Sequence, residues 1–212
     1  MATETAPSTR RNRNKLRHRQ EITAAALVIF AEKGYREASI QEIADRADFA
    51  VSTIYALFEN KEDLYRSVSR YVAKYCGDLF DRAMSGGTNE YEKLLLFARA
   101  KGQACRELPD GVRLLNNEQH GPLFRPVLNT REGITQFYEG FILRIRDLFA
   151  AGIKKGLFVE ADPELLAIGL EGITNALVLR SFSEQAQYTY EDRIDEILAV
   201  FFGPVLKDKQ KQ

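Results

Sequence analysis

Val51, Ser52, Thr53 and Tyr55 place two hydroxyls and a phenol within about one and a half turns of a short segment, if that segment is helical. Such groups hydrogen-bond phosphate oxygens and base edges, whereas a helix that only packs would carry aliphatic side chains there. Upstream, Arg10, Arg11, Arg13, Lys15, Arg17 and Arg19 stand against Glu4 alone within the first 20 residues. That end carries a net +5 in a chain of zero formal charge, so the remainder sums to −5. A basic end on an otherwise acidic chain suits phosphate contact, although a solvated arm has the same composition.

Catalytic chemistry has little to work with. His18 lies in the basic arm, and His120 follows Asn116, Asn117, Glu118 and Gln119. The Glu118/His120 pair has neither a nucleophile nor metal-ligand spacing beside it, and reads as a loop or pocket rim. Ser181, Ser183 and Glu184 form no hydrolase motif. Cys76 and Cys105 lack CxxC spacing, which argues against a zinc ribbon or a disulfide scaffold and fits a reducing cytosol. The expectations are no enzyme activity, no metal, no cofactor and a cytoplasmic location. The apolar run from Ile22 to Ala31 follows a basic stretch as a signal peptide's would. Glu21 interrupts the junction, no small-x-small cleavage site follows, and the run is too short to span a bilayer.

The elements that position these residues all read as helices. Residues 1–14 are polar and basic and are expected to be a flexible arm. Ile22, Ala25, Ala26, Ile29 and Phe30 then form an apolar stripe that stops at Lys33-Gly34. Ser39 and Glu42 make a capping box before a short helix over 40–47. A turn at Asp48 to Ala50 leads into a second short helix over 51–57. Asn60 and Asp63 open a long helix with Leu64, Val68, Tyr71, Val72, Tyr75 and Leu79 inward, ending at Gly86-Gly87.

Helices follow over about 90–107, closed by Pro109, and about 111–117. Pro122 and Pro126 interrupt regular structure, and a long helix capped by Asn129 ends at Lys154-Lys155-Gly156. Its apolar face is Ile134, Phe137, Tyr138, Phe141, Ile145, Leu148 and Phe149. Asp162-Pro163 starts a helix reaching about Ser183, and Thr189 starts the last, with Ile194, Ile197, Leu198, Phe201, Phe202 and Val205 inside. No strand alternation or repeat is present. The expected fold is all-α: a three-helix helix-turn-helix DNA-binding domain over 15–60, then a helical domain over 61–212, the half to which the family resemblance set out next assigns ligand binding and dimerisation.

The stretch FAEKGYREASIQEIADRADFAVSTIYALFENKEDLY, from Phe30 to Tyr65, resembles the tetracycline-repressor (TetR) family signature. Phe30, Gly34, Tyr35, Ile43, Ala44, Thr53, Ile54, Tyr55, Phe58, Lys61, Glu62 and Leu64 carry the match, which extends over roughly residues 15–70. The resemblance implies a homodimeric repressor of operator DNA. It implies that Thr53, Tyr55 and Lys61 contact phosphates and that Val51 and Ser52 face bases, with Ser39 in the same interface. Four positions depart from the pattern: Asp48 and Ser52 where Gly is usual, Ala50 for a capping Ser, and Leu57 for His or Tyr.

Within the second domain the resemblance implies an effector cavity. Polar groups among apolar ones nominate Phe97, Arg113, Asn117, His120, Phe124, Tyr138, Phe141 and Asn175. The abundance of Phe and Leu with nearby arginines points to a hydrophobic or amphipathic effector, such as an acyl-CoA, an aromatic compound or a drug. Helix 163–183 has Gly169, Gly172 and Ala176 on one side and Leu166, Leu170, Ile173 and Leu177 on another. Paired with helix 130–154 it is the candidate dimer face. The alternative is a helical small-molecule carrier or enzyme in which residues 40–57 only pack.

Overall fold

The computed structural model describes residues 10–120, 134–183 and 186–207, with backbone alone for 117–120 and 134–137. Nine helices make up these residues: α1 (Arg10–Glu37), α2 (Ile40–Ala47), α3 (Val51–Leu57), α4 (Lys61–Ser85), α5 (Glu90–Glu107), α6 (Pro109–His120), α7 (Ile134–Lys154), α8 (Pro163–Ser181) and α9 (Tyr190–Val205).

Side-chain caps set most helix starts. Ser39, Asn60, Asn89, Asp162 and Thr189 each accept a hydrogen bond from a backbone N–H of the first turn, satisfying donors that have no intrahelical partner. Ends are set by backbone geometry. Gly34 kinks α1 at φ 75°, and Gly156 closes the turn after α7 at φ 75°, where a side chain would be strained.

Two helices start elsewhere than the sequence pattern places them. α1 begins at Arg10, so the basic residues 10–14 are helical and only 1–9 of the expected arm lie outside the described residues. α6 begins at Pro109, because proline suits the first helical position as well as it terminates a preceding helix. Asn129, the expected cap of α7, also lies outside the described residues.

α1, α2, α3 and the start of α4 pack into one unit around Ile22, Phe30, Ile43, Ile54, Phe58 and Leu64. α4 runs on against α5 and α7, and α8 packs on α7 and α9. α6 packs against α1, so the two halves meet through α6 as well as through the continuous α4. An antiparallel bridge between Phe158 and Leu206 ties the turn after α7 to the end of α9. Among the described residues no helix is long and apolar enough to cross a membrane.

Candidate DNA interface and effector cavity

The reading module is built around the α2 cap. Ser39 Oγ accepts from the Glu42 amide at 3.1 Å while a Glu42 carboxylate oxygen accepts from the Ser39 amide at 3.0 Å. Lys33 closes an ion pair on the same carboxylate. The Lys33 hydrogen bond, then those from Ser39, hold the Glu42 carboxyl down at about 2. Ser39 is thus committed to the cap. The turn passes through Asp48 in the left-handed region, at φ 57° and ψ 44°, and Ala50, the residue before α3, gives that helix no side-chain cap.

Ile54 and Phe58 fasten α3 to the core, leaving Ser52 and Tyr55 outward, with Tyr55 54% exposed; Val51 and Thr53 are half-buried. Sequence reasoning missed Arg19. Its guanidinium donates to the Leu57 carbonyl at the C-terminal end of α3 and lies 4.2 Å over the Phe58 ring. It thereby satisfies a terminal carbonyl and opposes the helix dipole. His18 packs on Phe49 with ring centroids 4.9 Å apart. Arg10, Arg11, Lys15 and His18 of α1 line an open cleft with Thr53, Ala56 and Leu57 of α3. Lys61 donates to the Arg36 carbonyl at 3.1 Å and sits 4.8 Å over the Tyr35 ring, so part of its role is to pin α4 to the end of α1.

Tyr71, expected inward on α4, is 47% exposed and lines a groove between α1 and α4 with Leu16, Arg19 and Arg70. The 3.6-residue period leaves such flanking positions ambiguous.

In the second half a cavity of about 50 Å³ lies between α4, α5, α6, α7 and α8. Its lining includes Cys76, Phe80, Lys101, Asn116, Tyr138, Phe141, Glu171, Asn175 and Val178. Lys101, 7% exposed, donates to Glu171 Oε2 at 2.7 Å, Thr174 Oγ1 at 2.8 Å and Asn175 Oδ1 at 2.7 Å. Burial pushes the Lys101 ammonium below its ordinary value, and Glu171 opposes that shift. Burial also raises the Cys76 thiol and the Tyr138 phenol, each to about 12.

Of the nominated effector residues, Tyr138, Phe141 and Asn175 line this cavity. Phe97 stands behind it, packed on Phe80 and Phe141 with centroids at 5.2 and 4.8 Å. Arg113 does not belong: it lies over the Phe182 ring beside Asp110, with its side chain 48% exposed. The backbone of Asn117 and His120 ends α6, while their side chains, like all of Phe124, lie outside the described residues. Lys101 and Glu171 were missed because 70 residues separate them, and each alone reads as a surface charge.

The large exposed apolar side chains of α8 and α9 are Leu165, Ile168, Leu179 and Val200, with Gly172 and Ala176 open between those of α8. α7, expected to share a dimer face with α8, packs inward on α4, α5 and α8, and its outer side carries Glu139, Arg144 and Asp147 beside Leu143.

A capped helix-turn-helix joined to a helical bundle with an internal, part-polar cavity is the layout of a helix-turn-helix DNA-binding protein with a second, helical half. The family model for bacterial regulatory proteins of the tetR family matches residues 22–68. The fatty acid metabolism regulator protein of Bacillus subtilis (strain 168) is 42% identical over 146 residues, 64% of this chain and 68% of that protein. Solved structures share the fold, two of them as ligand complexes. AibR in complex with isovaleryl coenzyme A and operator DNA superposes with a TM-score of 0.75 at 20% identity, covering 89% of this chain and 100% of that one. FadR from Bacillus subtilis in complex with stearoyl-CoA gives 0.71 at 23% identity, covering 87% and 98%. The chain belongs to the tetR family of bacterial regulatory proteins and is a helix-turn-helix transcriptional regulator.

Proposed function

We propose that the protein is a homodimeric repressor that leaves its operator when a hydrophobic or amphipathic effector, a coenzyme A thioester foremost, enters the second half, and that it catalyses no reaction. One observation carries this reading: the outward face of α3 sits beside the basic start of α1, while α4 and α6 connect that unit to the cavity. Residues 15–60 act as the reader and 61–212 as the sensor and dimer half. Thr53, Tyr55 and Lys61 contact phosphates, Val51 and Ser52 meet base edges, and Ser39 holds α2 in place. The α8–α9 apolar face is the two-fold contact. The coenzyme A ligands of AibR and of FadR from Bacillus subtilis support the effector class.

Fluorescence anisotropy on the DNA upstream of the protein's own gene, against a shuffled duplex and with or without a long-chain acyl-CoA, tests this. Selective binding abolished by the acyl-CoA is the expected result. Selective binding that persists would remove the acyl-CoA as effector. Tight acyl-CoA binding with no preference for any sequence in a random duplex pool would instead make the protein a carrier.

A further inference from the structure

We propose that the cavity beside Lys101 takes an uncharged polar group of the effector, a hydroxyl or amide N–H that donates to Glu171, and turns away free carboxylates. This deepens, and rests on, the reading of the chain as an effector-responsive regulator.

The argument is a count of donors and acceptors. An ammonium has three N–H groups. All three of Lys101 are used, by Glu171, Thr174 and Asn175. Thr174 is itself fixed, its hydroxyl donating to the Leu170 carbonyl at 2.8 Å. Among the described residues an entering anion therefore finds no cationic donor to spare on this wall. It finds instead Glu171 Oε1, which accepts from no described residue and belongs to a side chain 7% exposed on the cavity wall. Asn175, 6% exposed, has its oxygen turned to Lys101, and no described acceptor meets its amide nitrogen. Asn116 turns its nitrogen to the Val112 carbonyl and keeps its oxygen free of any described donor.

The wall thus offers two acceptors, on Glu171 and Asn116, and a donor on Asn175, with Tyr138 alongside. A primary amide or an alcohol complements that set, because each both donates and accepts. A carboxylate only accepts and meets like charge. Buried polar groups left unpaired are costly, so such a site discriminates strongly between matched and unmatched ligands. The volume, about 50 Å³, is that of a polar head. The alkyl part must displace the rim of Leu115, Phe141 and Val178.

The test uses hexanamide, hexan-1-ol and hexanoate near neutral pH, titrated onto the full-length protein by saturation-transfer NMR. The expected result is that the amide and the alcohol bind at least about tenfold tighter than hexanoate. In Glu171→Gln the carboxylate that repels hexanoate is gone while an amide oxygen still accepts at the same place, so hexanoate should gain about tenfold or more while the amide changes little. Ala104→Leu adds bulk to the wall without touching a charge and should abolish amide binding. Equal binding of hexanoate and hexanamide to the unaltered protein would overturn the proposal, as would amide binding that survives Ala104→Leu. These two comparisons decide the matter even if Glu171→Gln fails to fold. Absence of binding by all three ligands would also overturn it, and an operator titration on the same preparation then shows whether the regulator reading stands by itself.

Discussion

Arg19 and Tyr55 divide the work of the DNA interface between holding and touching. Tyr55 projects from α3 and is 54% exposed, so Tyr55→Ala should change stability by no more than about 0.5 kcal/mol while weakening operator binding. Arg19 caps the last turn of α3 and covers Phe58, so Arg19→Ala should lower stability by about 1–2 kcal/mol and operator affinity with it. Urea melts beside anisotropy titrations separate the two; a melt unchanged by Arg19→Ala would deny it the positioning role. Glu42 gives a pH prediction at the same scale. Its carboxyl sits at about 2 against an ordinary 4.5, chiefly because Lys33 and Ser39 bond the charged form. The α2 cap is therefore fully supported above pH 4.5 and loses that support as pH falls towards about 2. A carboxyl-carbon NMR titration should show the low midpoint, and Lys33→Ala should raise it.

Among the described residues the elements follow the sequence where a cap announces them. Ser39 with Glu42 marks the start of α2, and Asn60 with Asp63 the start of α4. The cap missing from α3 was legible too, and it makes a prediction. Ala50 leaves a first-turn amide without a side-chain acceptor, so Ala50→Ser should add about 1 kcal/mol to the stability measured by urea denaturation. No gain would mean that the first turn of α3 is already satisfied by solvent. What stayed hidden depends on contacts between distant segments. Pro109 has the same identity whether it ends α5 or begins α6, and only the packing of α6 on α1 decides. Tyr71 lies at the margin of the apolar stripe, where α1 stops short of covering it. The cavity was half legible: Tyr138, Phe141 and Asn175 follow from polar groups among apolar ones, but the pairing of Lys101 with Glu171 depends on how α5 meets α8.

At the scale of the molecule, repression requires two recognition helices held one DNA turn apart, about 34 Å, and one chain supplies only one. The face that joins two copies must be apolar, exposed and free of intrachain partners. Leu165, Ile168, Gly172, Ala176 and Leu179 recur at intervals of three and four along α8, so they share one side, and Val200 of α9 adds to the exposed apolar surface. Gly169 lets α9 come close on the neighbouring side, since a Cβ there would lie 3.2 Å from the Phe201 ring. Ile168→Arg puts a charge on this surface, 51% exposed in the single chain, so the fold should survive while the pair does not. Analytical ultracentrifugation should show monomer, and operator affinity should fall by about 100-fold or more, because the second half-site no longer benefits from the first. Effector binding to the cavity should persist in that variant, because the cavity is built within one chain. Its influence on DNA should vanish, since an effector shifts only an equilibrium between states it binds differently, and a monomer has no spacing between readers to shift. A variant that stays dimeric would move the two-fold contact off α8. A monomer still released from DNA by the effector would locate the switch within the chain, in the α6–α1 contact, rather than in the distance between two copies.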